Sequence, residues 1–293
     1  MRVGFIGIGV MGWPMAANIL KGGHELTVHD ADPDKAARFA REVGGKAAAN
    51  LGEVAANEVV VTMLPTSRHV RQALLEDQGG AFAAAIRPGL VVVDMSSSDP
   101  NDARALGPVL AERGAALVDA PVSGAQWRAK DGTLAIMIGG DDPAAIDKAE
   151  PVLRCMGDRL FRTGGLGTGD AMKALNNYVA AAGLAAVSEA VLIARRFGLD
   201  GETMADILNV STGKNFATEM LLKQHILNGA FAGGFTLALM AKDVKIAADL
   251  GESVGLDAPM SRLVRDRFAA ARDEVGPDKD NSAAILAWDR DLG

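Results

Sequence analysis

The chain has 293 residues, 49% of them hydrophobic and 23% charged, and a formal net charge of −7. That length and apolar share suffice for two hydrophobic cores. An acidic chain without a Lys/Arg run has no electrostatic footprint for nucleic acid, so a small-molecule partner is expected. The lone Cys155 excludes an intramolecular disulfide and fits a reducing cytoplasm; beside Met156 in an apolar stretch it reads as inert. His24, His29, His69 and His225 form no H-x-x-x-H pair and have no cysteine cluster nearby, so no metal site is expected.

The first predicted element is an apolar strand, Val3 to Ile6, running into Gly7-Ile8-Gly9-Val10-Met11-Gly12. An amphipathic stretch to Leu20 follows, and a second strand, Leu26 to Val28, ends near Asp30. This is the G-x-G-x-x-G context of a dinucleotide site. Gly7 permits the tight turn, Gly9 admits a pyrophosphate to the backbone, and Gly12 lets the helix pack closely on the strand. Asp30, 18 residues beyond Gly12, is placed to accept hydrogen bonds from the ribose hydroxyls of NAD and to repel the 2′-phosphate of NADP. Lys35 and Arg38 lie near enough to keep NADP possible. A strand that reaches its glycine turn after six residues is not the pattern of a signal peptide, and a cytoplasmic location is expected.

Further strands are predicted at Val59 to Met63, Leu90 to Asp94, Ala116 to Asp119, Leu134 to Ile138 and Arg159 to Arg162, alternating with Ala-rich helical stretches. The alternation predicts a doubly wound parallel sheet of the Rossmann type, with ligands outside the carboxyl ends of the strands. Beyond Gly164 strand-like runs stop, and a helix of about 27 residues, roughly 40 Å long, is predicted from Asp170 to Arg196. Helices follow at about Asp200 to Ser211, Glu219 to Asn228, Leu239 to Gly251, Pro259 to Glu274 and Ser282 to Trp288. The organisation expected is a nucleotide-binding domain over 1–163 and an all-helical substrate and dimerisation domain over 164–293, joined by the long helix. Its most apolar run, Tyr178 to Ala194, is interrupted by Ser188 and Glu189, so a soluble protein is expected.

Lys173 and Asn177 are four residues apart on that helix and project from one face, with Asn176 on its edge. Taken alone they read as easily as solvated helix-start residues. Where a helical domain meets a nucleotide-binding sheet, however, they are expected to face the cleft that receives the nicotinamide.

Four motifs in order give the chain a resemblance to the β-hydroxyacid dehydrogenase family. They are Gly7 to Gly12 with Pro14-Met15-Ala16, Asp119-Ala-Pro-Val-Ser-Gly124 with Asp131 to Leu134, Gly167 to Asn177, and Phe235 with Lys242-Asp243. The resemblance implies oxidation of a short 3-hydroxy acid to its semialdehyde, or the reverse, with a nicotinamide cofactor. It implies that Lys173 is the catalytic lysine, that Asn177 orients the substrate, and that the Ser123-Gly124 loop holds its carboxylate. It further implies that Leu64, Pro65, Ser96 and Ser97 line the cofactor and that Lys242 closes over it. A lysine hydrogen-bonded to the substrate oxygen can take up or deliver the hydroxyl proton. A free lysine titrates near 10.4, so base chemistry requires that value to be lowered.

The chain departs from the family pattern in two places. Ala125 replaces a second glycine and can present its N–H to a carboxylate only if its φ is negative. Arg128 stands where many members have a small residue, Trp127 and Arg128 give the chain its individuality there, and Arg128 reads either as a surface arginine or as a contact for a second anionic group. Asp243 is expected to orient Lys242, and Trp288 with Asp289-Arg290 to serve packing. An imine reductase is the rival within the enzymes, though such enzymes commonly replace the lysine. An NAD(H)-binding regulator without turnover is the rival outside them. A sugar-phosphate dehydrogenase would need a longer helical domain and basic residues for a phosphate. A homodimer or homotetramer is expected from the Ala-rich helical part.

Overall fold

The computed structural model describes residues 1–289, divided between two units, residues 1–173 and the residues from Ala174 onward. In the first unit nine strands share one sheet: β1 (Arg2–Ile6), β2 (Glu25–His29), β3 (Lys46–Ala47), β4 (Val59–Thr62), β5 (Leu90–Asp94), β6 (Ala115–Asp119), β7 (Val122–Ser123), β8 (Ala135–Gly139) and β9 (Arg159–Gly164). Their spatial order is β3-β2-β1-β4-β5-β6-β8-β7, with β9 beside β8. The helices between them are α1 (Gly12–Lys21), α2 (Pro33–Glu42), α3 (Leu51–Ala55), α4 (Ser67–Arg71), α5 (Asp77–Ala85), α6 (Pro100–Ala111), α7 (Ala125–Asp131) and α8 (Pro143–Met156). Three of them start on an Asp-Pro pair. Asp32, Asp99 and Asp142 each accept a backbone N–H of the first turn, and the following proline fits a position whose own N–H has no helical partner.

The valine-rich strands alternate between two cores. Val59, Val61, Val91 and Val93 pack with Met15 and Ile19 of α1 and Ile146 and Val152 of α8. Val60 and Val92 pack on the opposite face with Val54 of α3 and Leu106 and Leu110 of α6. Helices on both faces are what a doubly wound sheet requires. Strands β3, β2, β1, β4, β5 and β6 run parallel in the order 3-2-1-4-5-6, so the order reverses between β1 and β4, where such sheets bind dinucleotides.

The parallel expectation stops at β6, because β8 runs antiparallel to it and pairs only at Asp119 with Gly139. The connection explains the reversal. α7 has seven residues, about 10 Å, too short to carry the chain back along a strand of about 17 Å. α8, with 14 residues, does carry it back, and β9 is parallel to β8. The two-residue strands β3 and β7 are too short to show a period in the sequence. Beside the thin β6–β8 junction lies a cavity of about 1010 Å³, lined by residues of α6, β5, β6 and the turns at Asp141 and Gly165.

α9 (Thr168–Phe197) begins in the first unit and continues through the second, followed by α10 (Gly201–Val210), a wide-turned π-type helix (Ala217–Leu227), α11 (Leu237–Ser253), α12 (Pro259–Val275), a 3-10 turn (Asn281–Ala283) and α13 (Ala284–Trp288). Leu184, Val191, Leu222, Leu237, Val244 and Phe268 form the core of the second unit. Trp288 meets Phe268 edge-on with ring centroids 5.4 Å apart, and Asp289 accepts a hydrogen bond from Arg196; Arg290 lies outside the described residues. By length and composition alone α9 could cross a membrane. Its residues Ala181, Leu184, Ser188 and Val191 are instead buried at 3.6-residue spacing, the pattern of a helix serving a protein core.

Candidate active site

The glycine turn after β1 is built by close approach. A Cβ on Gly12 would stand 2.0 Å from the Gly7 carbonyl oxygen, and Gly7 itself has φ +95°. At Gly9 the same test finds nothing within 4 Å, so the protein leaves open space in front of that backbone. Val10 is 70% exposed. Asp30, just past β2, accepts the Ile8 N–H at 2.9 Å, which ties the second strand to the turn. Its other oxygen meets the Lys35 ammonium at 3.4 Å, and the Arg38 guanidinium lies 4.8 Å over the Trp13 ring. Both cations near the turn are therefore engaged. The residues fit a dinucleotide: a tight turn, a backbone face left open at Gly9 and a carboxylate beside it.

After β4 and β5 the strand ends are fixed by a buried carboxylate. Asp94 accepts from the Thr62 hydroxyl at 2.7 Å, the Ser96 N–H at 3.1 Å and the Ser98 hydroxyl at 2.7 Å. The Ser96 hydroxyl in turn accepts the Leu64 N–H at 2.9 Å. Leu64 and Ser97 are half-buried and Pro65 is exposed, but Ser96 is fully buried. Ser96 thus props Leu64 from beneath.

Asp119 at the end of β6 plays the same part for α9. Its two oxygens accept the N–H groups of Gly167 at 2.8 Å and Asp170 at 2.9 Å, and a Cβ on Gly169 would stand 2.9 Å from one of them. Burial pushes the Asp119 carboxyl above its ordinary value, against the pull of those two N–H donors. This anchor was not singled out from the sequence, where Asp119 reads only as part of a strand-end motif.

Beyond it, Ser123 closes β7 and Gly124, at φ +138°, precedes α7. Ala125 has φ +57°, a conformation that favours glycine. The far end of α7 is held by Asn18 of α1, which donates to the Ala129 carbonyl at 2.8 Å.

On α9, Lys173 and Asn177 are 9% and 8% exposed. They occupy the stripe that continues as Ala181, Leu184 and Ser188, so two polar residues stand where the helix otherwise turns its apolar face inward. The Asn177 amide donates to Asp243 at 2.5 Å and accepts from Asn176 at 3.0 Å. Asp243, on α11 and 2% exposed, also meets the Lys242 ammonium at 3.0 Å. Asp243 thereby orients Lys242, and it joins Asn177 to the same carboxylate, a link the sequence did not show. Asn176 is half-buried and acts on Asn177.

Residues 2–165 match the family described as the NAD binding domain of 6-phosphogluconate dehydrogenase, and residues 167–288 match that described as NAD-binding of NADP-dependent 3-hydroxyisobutyrate dehydrogenase. The chain is 35% identical to 2-(hydroxymethyl)glutarate dehydrogenase of Eubacterium barkeri, covering 100% of this chain and 96% of that one. It is 33% identical to NAD-dependent L-serine dehydrogenase of Pseudomonas aeruginosa, covering 100% and 99%. The structure of Mycobacterium tuberculosis 3-hydroxyisobutyrate dehydrogenase with L-serine is similar at a TM-score of 0.89 and 32% identity, over 98% of this chain and 99% of that one.

Proposed function

Given that the chain belongs to the β-hydroxyacid dehydrogenase family and is an NAD(P)-dependent oxidoreductase acting on CH–OH groups, we propose that it interconverts a short 3-hydroxy acid and its semialdehyde, with NAD preferred. The observation that carries this reading is the buried pair Lys173 and Asn177 on the inward stripe of α9. Two polar residues one turn apart on that face can reach one small ligand, and a lysine hydrogen-bonded to its hydroxyl oxygen can exchange a proton with it.

In this mechanism Ser123 and Gly124 hold the substrate carboxylate, and the Asn177 amide orients the substrate while Asp243 keeps it in place. Lys173 hydrogen-bonds the hydroxyl oxygen and takes up its proton as the carbon is oxidised. In the reverse direction its ammonium polarises the aldehyde carbonyl and returns the proton. The bound nicotinamide supplies the hydride acceptor or donor. Gly7 to Gly12 and Asp30 would hold the dinucleotide, Leu64, Pro65, Ser96 and Ser97 would lie along it, and Lys242 would close over it. The preference for NAD is supported by Asp30, whose charge opposes a 2′-phosphate, and by the engagement of Lys35 and Arg38.

The relatives act, by name, on serine and on a hydroxymethyl dicarboxylic acid, which supports a panel of β-hydroxy acids of one and two carboxylates. The test is absorbance at 340 nm with NAD and separately NADP across that panel, alongside the semialdehydes with NADH. Turnover of one acid with NAD supports the reading; NADH binding without turnover of any acid or semialdehyde contradicts it. A cytoplasmic homo-oligomer belongs to the same proposal. Val179, Ile193 and Phe197 of α9 are 68%, 68% and 89% exposed, and sedimentation at a single-chain mass would contradict an oligomer.

A further inference from the structure

Arg128 is built into the Ser123-Gly124 turn. A Cβ on Gly124 would lie 2.5 Å from Arg128 Cδ, 2.9 Å from its Cβ and 3.1 Å from its Cγ, so the aliphatic stem of the arginine fills the space over that glycine. The guanidinium is set by the Trp127 ring, 4.9 Å from its centroid. The helix that carries it is fixed at its far end, where Asn18 of α1 holds the Ala129 carbonyl and Ala129 is fully buried. Among the described residues no carboxylate lies within ion-pair distance of Arg128, although it is half-buried. A guanidinium held on a rigid element beside the turn assigned to the first carboxylate is pre-organised for an anion, and its fork suits a second carboxylate.

We infer that Arg128 selects hydroxy acids bearing a second anionic group. The inference rests on the reading of Ser123 and Gly124 as the first carboxylate site. The substrate class is then a short 3-hydroxy acid whose side group ends in a carboxylate, with Arg128 pairing to that carboxylate.

The matched probes are 3-hydroxyisobutyrate and 2-(hydroxymethyl)succinate, which differ by a carboxylate on the side methyl. Their kcat/KM values are compared in the natural protein, Arg128→Ala and Arg128→Lys. The natural protein favours the diacid, and Arg128→Ala lowers the diacid-to-monoacid ratio by about 10- to 100-fold, a range matching one charge-assisted hydrogen-bonded pair. Arg128→Lys, which keeps the charge without the fork, lies between. A ratio unmoved by Arg128→Ala, or a natural protein that favours the monoacid, overturns the inference. Calorimetric titration of the NADH-loaded protein with succinate and with butyrate reads the same preference without turnover. Tighter succinate binding lost in Arg128→Ala supports the inference even where no acid is oxidised, which would overturn the 3-hydroxy acid reading alone. Equal binding of the two overturns the inference even where monoacids are turned over.

Discussion

Two buried carboxylates hold the two parts of the proposed site, and they do so differently. Asp119 in the first unit accepts backbone N–H groups, from Gly167 and Asp170. Asp243 in the second unit accepts side-chain donors, the Asn177 amide and the Lys242 ammonium. A backbone anchor fixes where an element begins, and it survives exchange of most neighbouring side chains. A side-chain anchor fixes where reacting groups point, and it fails when any one member is replaced. The glycine turn and its neighbours are therefore expected to govern cofactor binding and stability, and the Lys173 to Asn177 stretch of α9 with Asp243 to govern turnover.

Of the two anchors, the side-chain one has the larger expected effect when broken. Asp243→Ala removes the carboxylate that Asn177 and Lys242 share, and misplacement of about an ångström at a reacting group costs on the order of 100-fold. Steady-state kinetics should show kcat/KM reduced by about that factor, with NADH affinity changed far less. The glycine turn sharpens the contrast. Gly12→Ala drives a Cβ into the Gly7 carbonyl and should lower stability by about 1–3 kcal/mol along with NADH binding. Gly9→Ala, whose Cβ enters open space, should leave the melting temperature unchanged and weaken NADH binding alone. Ala125→Gly should raise stability by less than about 1 kcal/mol. It relieves an alanine at φ +57°, worth roughly 1–2 kcal/mol, against the added freedom of the unfolded chain.

The smallest effect is in pH. Burial raises the Asp119 carboxyl, so its contribution to stability is full below the ordinary value of 3.8 and is lost as pH rises through the raised one. Burial acts the same way on Asp280, but the Ser282 hydroxyl and the N–H groups of Ser282, Phe235 and Gly234 outweigh it and hold the carboxyl below 3.8. Its contribution is present above 3.8 and is lost as pH falls through the lowered value. The two carboxylates should therefore act in opposite directions on acidification: in urea unfolding followed by tryptophan fluorescence, with Trp288 reporting the second unit, Asp119→Ala should steepen the loss of stability toward low pH. Asp280→Ala should flatten the acid limb of the Trp288 transition.

The parts fixed by local chemistry were legible in the sequence. The glycine turn, the long helix and the seven longer strands all follow from spacing and period within single segments. β3 and β7 have two residues each and no period to show. The antiparallel course of β8 follows from the shortness of α7 and its tie to Asn18, a contact across 111 residues. The pairing of Asn177 with Asp243 spans 66 residues, and no motif on either helix announces it. Ser96 reads only as a strand-end residue, and the packing of the β4 and β5 ends shows its hydrogen bond beneath Leu64.

The division between holding the cofactor and moving the proton is tested most directly on Lys173→Ala, by measuring NADH affinity by fluorescence and turnover at 340 nm on the same preparation. The account predicts turnover lowered by about 10²- to 10⁴-fold with NADH affinity nearly intact. Retained turnover, or comparable loss of both, would contradict it.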